Sequence, residues 1–564
     1  MPQIIRRPGR WIRNCTVFTA NPCDSLTQAD WNQIQWELTA SGLSRVYVLP
    51  NFVDGLIASI DSTPNGGLYN SSGGLITTLT YNAGGWWEPV GDVFVAPNTF
   101  SYVLIEGISV TLNDGTSCSH DFLQYYQNTI EVPPAIPEWF YTTTELSPSF
   151  QILGSSGTVD WGDGTVDSYD ATAVQQTLSH TYSGAGTNEI NIFNGKDSTL
   201  IRILGTAATS ATFTDAVAWT TLDLNGIPAL TTLVLPSSNT NTIVNFDLAQ
   251  AGLTGTLDLS FMTGMAGTIN CASITGLTGL ILPTSSGVIT ELDFILCDIT
   301  GTVDASGLTG LGGYIDFGGN NNLTGFTCPS SSQAITKFDF AGCDLASLDV
   351  SPLTGLGGAI DLGQNGLMTS FTGGTSSQVI TKWDMAASTS LNGNIDLSGY
   401  SNLGGNLEFQ NSNLVDDIIF PTSSQVIDPL RAYNMNDLID IDISGLTALE
   451  GEIRFSGNDL QTTLTLPASS GTIDSFLLFN NDLGYEDSTG LTFSSSASIQ
   501  LDNNNMTAAE VNQWLVDLDS NLGAGSGVID IDGSNAAPDG TSGGYDGLTA
   551  KSNLQANGWT VNTN

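Results

Sequence analysis

The chain has 564 residues, more than one hydrophobic core usually serves, so several domains or one long repetitive one are expected. Charged residues make up only 12% of it, yet the formal net charge is −44, because 12 Lys and Arg face 56 Asp and Glu. So few cations leave no means of tracking nucleic-acid phosphates over most of the length, while 40% apolar residues and 63 glycines exclude a disordered chain and indicate a mainly β surface protein.

Residues 1–132 read as an N-terminal α+β attachment domain. Arg6, Arg7, Arg10 and Arg13 put a third of the cations in its first thirteen residues, which suits an arm docking on an acidic partner such as a capsid or tail protein. The plainer reading is a solvated terminus. No apolar core follows the arginines as in a secretory signal, and no stretch is long enough to span a membrane. Ser25 to Ser41 is expected to be a helix, with Thr27 and Asp30 placed like a capping box, Trp31, Ile34 and Leu38 on one face, and Gly42 ending it. Strands are expected at Arg45–Val53, Gly74–Tyr81 and Phe100–Leu112. Residues 133–138, with three prolines, form a stiff linker.

Residues 139–205 contain Val159-Asp-Trp-Gly-Asp-Gly-Thr165 and then His180-Thr-Tyr-Ser-Gly-Ala-Gly-Thr187 leading into Ile190-Asn-Ile192. The pair resembles the PKD-type (polycystic-kidney-disease-type) β-sandwich. The resemblance implies a spacer or carbohydrate-facing module, with His180 structural rather than a catalytic base. Trp161 is a core anchor, Gly162 and Gly164 supply a tight turn, and Tyr182 begins a return strand. Asp160, Asp163, Asp167 and Asp170 lack EF-hand spacing and read as a solvated turn before they read as a Ca²⁺ site.

From residue 206 to 505 a hydrophobic-x-hydrophobic-x-x-(Asn, Cys or small) pattern returns every 22 to 24 residues. Phe246/Leu248/Ala251, Leu292/Phe294/Cys297, Ile315/Phe317/Asn320, Phe338/Phe340/Cys343 and Ile360/Leu362/Asn365 are copies. Arg431/Tyr433/Asn436, Ile453/Phe455/Asn458, Phe476/Leu478/Asn481 and Ile499/Leu501/Asn504 are later ones. About twelve turns are counted, which share one continuous core because a single turn cannot bury its apolar face. The pattern resembles the leucine-rich repeat family, which implies a β-solenoid whose Asn or Cys column bonds the backbone leaving each strand. A second period, twice as long, is laid over the first. Pro-x-Ser-Ser or a variant recurs at Pro236, Pro283, Pro329, Pro421 and Pro467, and between these lie Asp-x-Ser segments at Asp258, Asp304, Asp349, Asp396 and Asp442. Alternate turns therefore differ, with the Asp-x-Ser strands on the opposite wall.

Residues 506–564 read as a C-terminal cap: Thr507 and Glu510 open a helix with Val511, Trp514, Leu515 and Leu518 inward, then a strand near 527–532, a helix from Leu548 to Asn557, and Trp559-Thr-Val561 as closure. Seven cysteines give an odd count with no C-x-x-C spacing. Cys297 and Cys343 belong to the repeat column, and Cys15, Cys23 and Cys118 are expected as thiols.

The middle residue of each repeat strand faces solvent, which stacks Asp247, Asn270, Asp293, Asp316, Asp339, Asp361, Asp384 and Glu408 before Ala432, Arg454, Leu477 and Gln500 break the column. Carboxylates one rung apart, about 4.8 Å, repel. Raised pKa values, screening salt, or Ca²⁺ bound by Asp293, Asp316, Asp339 and Asp361 would relieve them, and plain repeat duplication explains the column without a ligand. No phosphate loop, zinc-protease or serine-hydrolase motif occurs, and two histidines leave little for catalysis.

The expectation is a non-enzymatic virion or adhesion protein of a bacteriophage, anchored through residues 1–132, displaying its solenoid towards a host-surface glycan, and present in many copies or as a homo-oligomer. A bacterial cell-surface adhesin exported by another route, and a polysaccharide-degrading spike enzyme, are the alternatives.

Overall fold

The computed structural model describes residues 137–564 except 215–218, 238–241 and 331–332; before residue 137 it describes strands, and almost none of their side chains. The chain divides into two compact units, Met1–Ile136 and Pro137–Asn564.

In the first unit, Ile5–Arg7 pairs with Arg10–Ile12, Ile34–Leu38 pairs with Ser44–Val48, and an antiparallel six-stranded sheet includes Leu75–Tyr81 and Tyr102–Leu112. The expected helix over Ser25–Ser41 is corrected at its second half. Ile34, Trp36 and Leu38 alternate with Gln35 and Glu37, a period of two that suits the strand observed at Ile34–Leu38. Residues 25–33 and 39–43, and with them the expected stop at Gly42, lie outside those described.

The second unit opens as a two-sheeted sandwich. Trp139–Thr143 sits between Asn188–Phe193 and Ala208–Phe213, all antiparallel, with Ser156–Asp160 and Val166–Asp170 beyond. The facing sheet pairs Ser149–Leu153 with Gln176–Ser179 and Leu200–Leu204. Trp161 is fully buried, its indole N–H donating to Asp167 (2.8 Å) while the Tyr182 hydroxyl donates to its carbonyl (2.6 Å). Tyr182 thus closes the turn from a loop between strands, rather than starting one. Gly162 has φ +81°, and a Cβ there would stand 2.6 Å from the Glu189 carbonyl oxygen, so only glycine fits.

Both sandwich sheets run on into the solenoid. Leu200–Leu204 pairs in parallel with Thr221–Asp223, which pairs with Ile243–Asp247, while Ala208–Phe213 pairs in parallel with Thr232–Val234. The result is one 18-stranded sheet reaching Thr560–Asn562, parallel from Leu200 onward. Aromatic rings carry the core across the junction: Phe213 to Trp219 is 6.3 Å and Trp219 to Phe246 6.0 Å between centroids. Further on, Phe294, Phe317 and Phe340 stack at 5.3 and 5.2 Å, close to the spacing of the rungs that carry them.

The Asn and Cys column does what the repeat resemblance implies. Asn320 Nδ2 donates to the carbonyls of Phe294 (2.9 Å) and Phe317 (2.7 Å), and its Oδ1 accepts the Ile299 N–H (3.0 Å). Cys297 and Cys343 reach the carbonyls of Cys271 and Phe317 at 3.2 and 3.3 Å. Asn458, Asn481, Asn504 and Asn535 continue the column, each accepting the N–H of its counterpart one rung before. The position leading into this column is held with positive φ even by Gln250, Leu296, Gln364 and Asn434, so the corner is set by the stacked hydrogen bonds and not by glycine alone.

The ninth turn is shifted by one residue from its expected register. Leu430, not Arg431, pairs with Leu407 and Ile453, and Ala432 and Met435 are wholly buried, so Asn436 is outside the column and Ala432 outside the acidic ladder. A slip of one would expose Leu430 and Met435 and bury a guanidinium, which fixes the pairing.

The opposite wall consists of shorter parallel sheets, of two or four strands, with strands such as Thr300–Asp304, Asn322–Thr327 and Ser347–Asp349, alternating as the double period requires. The first serine of Pro-x-Ser-Ser explains the alternation. Ser285 Oγ donates to the Met265 carbonyl and Ser423 Oγ to that of Leu403, both at 2.7 Å, and each accepts an N–H two residues on. In the last turns helices replace that wall. Helix α1, Ala508–Asn521, starts with the expected Thr507–Glu510 capping box, and α2, Gly547–Ala556, precedes the last rung. Trp559 packs where Gly525 and Gly527 leave no side chain, and its indole N–H donates to the Gly523 carbonyl (2.9 Å).

Candidate functional site

Alternation along each rung sends one side chain into the core and the next onto the open face of the long sheet. The register places Asp223, Asp247, Asn270, Asp293, Asp316, Asp339, Asp361, Asp384 and Glu408 side by side there, one per rung. The acidic ladder read from the sequence therefore exists as a column, and it extends one rung further towards the sandwich.

Turn chemistry explains why the column is aspartate. Each Oδ1 accepts the backbone N–H two residues on, as Ala249, Ile295, Gly318, Ala341 and Ala386 show at 2.9–3.0 Å. On the opposite wall Asp258, Asp304, Asp349, Asp396 and Asp442 hold the N–H groups of Ser260, Ser306, Ser351, Ser398 and Ser444 in the same way, all at 2.9 Å. These are Asx turns, in which a short carboxylate replaces a backbone acceptor.

Cations of the chain itself lie between the carboxylates. Lys337 Nζ is 2.6 Å from Asp316 and 3.1 Å from Asp339, and the Tyr314 hydroxyl donates to Asp316 at 2.7 Å. Lys382 repeats the arrangement with Asp361 (2.6 Å) and Asp384 (3.2 Å). Arg431 joins Glu408 (3.1 Å) to Glu452 (2.7 Å). Asp316 is completely buried, which such a partner makes tolerable. Burial, reinforced by neighbouring carboxylates, pushes Asp247, Asp293, Asp339 and Asp384 above the ordinary 3.8. Burial alone would lower the Lys337 pKa, but its bonds to Asp316, Tyr314 and Asp339 outweigh that and raise it.

Of the four residues singled out for Ca²⁺, Asp316 and Asp361 are each held by a lysine, Asp339 shares Lys337, and Asp293 faces Glu291 in the place Lys337 holds two rungs on. Among the described residues no group of three or more His, Cys, Asp or Glu is arranged to hold a metal ion. The lysines were legible in Lys-Phe-Asp at 337–339 and Lys-Trp-Asp at 382–384, where period two puts both polar residues on one face. Arg6, Arg7 and Arg10 fall on the first two strands, but their side chains, and all of Arg13, lie outside the described residues.

Beyond Glu408 the face changes character. The register continues Arg431, Arg454, Leu477 and Gln500. The Arg454 guanidinium lies 3.9 Å from the centre of the Tyr433 ring and 5.7 Å from that of Phe479, with its Nε donating to Ser456 Oγ at 2.9 Å. In the sandwich, Asp163 accepts from Thr165 and lies 2.8 Å from His180 Nε2; the bonds to Thr165, with His180 adding to them, hold its carboxyl down at about 2. His180 also stacks on Trp161 at 5.3 Å, a structural placement.

No protein family and no curated protein matches the chain. Among solved structures it matches the functional domain of InlJ from Listeria monocytogenes, described as including a cysteine ladder, at 18% identity over 57% of this chain and 73% of that one, with a TM-score of 0.19. So distant a likeness leaves the leucine-rich solenoid to rest on the chain's own register and Asn and Cys column, with no helix among the described residues long and apolar enough to cross a membrane.

Proposed function

We propose that this is a non-catalytic display protein: residues 1–132 attach it to a larger assembly, a PKD-type sandwich begins the rod, and the solenoid presents its long faces to a host surface. The continuous sheet and core from the sandwich to the last rung support this reading best, since such a body is stiff and offers an extended lateral surface. The carboxylates support it too. Those of the ladder are engaged by turn N–H groups, lysines and an arginine, in structural roles that explain their presence without chemistry. A bacteriophage virion, with the solenoid outermost, is the assembly we favour; a bacterial surface is the alternative.

Competition tests it. Purified full-length protein added to host cells should reduce particle adsorption in a dose-dependent way. Unchanged adsorption at saturating protein would contradict a host-binding role.

A further inference from the structure

We infer that the rungs bearing Tyr433, Arg454 and Phe479 form a subsite for a carboxylated sugar within a mostly neutral glycan. This rests on the display reading and names the ligand class of one of its faces. Cations are scarce, and among the described residues Arg202, Lys337, Lys382 and Arg431 each hold a carboxylate. Arg454 does not. Its Nε is used by Ser456 and its plane rests against Tyr433, while neither Nη bonds another side chain among the described residues. A guanidinium already fixed by a ring and a hydroxyl loses little freedom on meeting a carboxylate, and its two remaining NH2 groups, Nη1 and Nη2, suit bidentate contact.

The surroundings favour a sugar as the carrier. Leu477 follows Arg454 on the same column, and Phe479 lies beside it, giving an apolar surface next to the cation. A hexuronate ring has the matching form, an apolar C–H face with a carboxylate at one edge. Tyr433 and Phe479 are two rungs apart, about 10 Å, so a neighbouring neutral sugar has an aromatic ring on either side of Arg454. The nearby Glu452 is held by Arg431 through Nε at 3.1 Å and Nη2 at 2.7 Å, so it does not occupy Arg454. The net charge of −44 opposes a polyanion, which selects a ligand with isolated carboxylates.

Saturation-transfer NMR on the full chain, with methyl glucuronide, methyl glucoside and N-acetylglutamate amide as probes, tests this. The glucuronide should receive transfer on its ring protons, well above the glucoside and the amino-acid amide. Its apparent affinity should fall about tenfold or more in Arg454→Gln and in Phe479→Ala, and less in Arg454→Lys, which keeps the charge without the planar fork. Lys551→Gln, in the cap, should bind as the parent does. Equal transfer to glucuronide and glucoside, equal transfer to the acidic amide, or full binding by a folded Arg454→Gln or Arg454→Lys variant would overturn the inference. Adsorption competition is read separately, so a failed sugar site and a failed display role give different results.

Discussion

At Asn320 one buried side chain serves the backbone of two turns, accepting from Ile299 and donating to Phe294 and Phe317. Asn320→Ala would strand those groups and should cost about 2–4 kcal/mol. Asn320→Cys should cost about half as much, since the thiols of Cys297 and Cys343 in the same column reach carbonyls at 3.2 and 3.3 Å. Urea unfolding distinguishes the two, and equal losses would mean the column acts by size alone. Lys337→Gln leaves Asp316 and Asp339 without their cation and should cost about 2 kcal/mol at pH 7. The sign of its pH dependence follows from the partners. Asp339 is raised above 3.8, mainly by burial, so its ionised form is the unfavourable one, and the deficit should shrink as the pH falls through that raised value. Lys337 itself is raised, so its contribution is fully present below 10.5 and lost only as the pH climbs through its higher folded value. A deficit that grows on acidification would contradict the pairing.

At the level of the rung, apolar spacing made most of the solenoid legible, because each turn repeats the same two inward positions and the same polar column. It failed where local chemistry imitated the pattern. Arg431 and Tyr433 stood where Leu430 and Ala432 belong, and only pairing with Leu407 and Ile453 decides between them. The junction was illegible for another reason: Leu200–Leu204 belongs to an antiparallel sandwich on one edge and to the parallel rung Thr221–Asp223 on the other, and no repeat spacing marks such a strand. Residues 34–38 misled because Trp31, Ile34 and Leu38 also fit a helical stripe. The double period makes its own prediction. Deleting residues 305–349 joins equivalent positions and removes Lys337 together with Asp316 and Asp339, so the shortened rod should fold with a melting temperature within a few degrees of the parent. Deleting residues 305–327 removes Asp316 but leaves Lys337 and puts alternate turns out of phase, and should destabilise far more. Equal melting temperatures would contradict the double unit.

For the whole molecule the acidity is a property of its turns and rungs, and it sets the pH response. Asp247, Asp293, Asp339 and Asp384 are raised chiefly by burial, so their protonation favours the fold as the pH drops from 7 towards 3.8. Asp258 and Asp304 are lowered by their serine partners and Asp163 to about 2 by Thr165; these contribute stability above 3.8 that is lost as the pH falls through their folded values. The melting temperature should therefore rise on mild acidification and fall in stronger acid; calorimetry across that range checks it, and a monotonic decline from pH 7 would contradict the buried ladder. What the molecule does with its faces is settled most directly by cryo-electron microscopy of the native assembly. The display reading predicts residues 1–132 seated against a capsid or tail, with the solenoid and its Arg454 face outward. A solenoid buried inside the particle, or a chain found only free of any particle or cell surface, would contradict it.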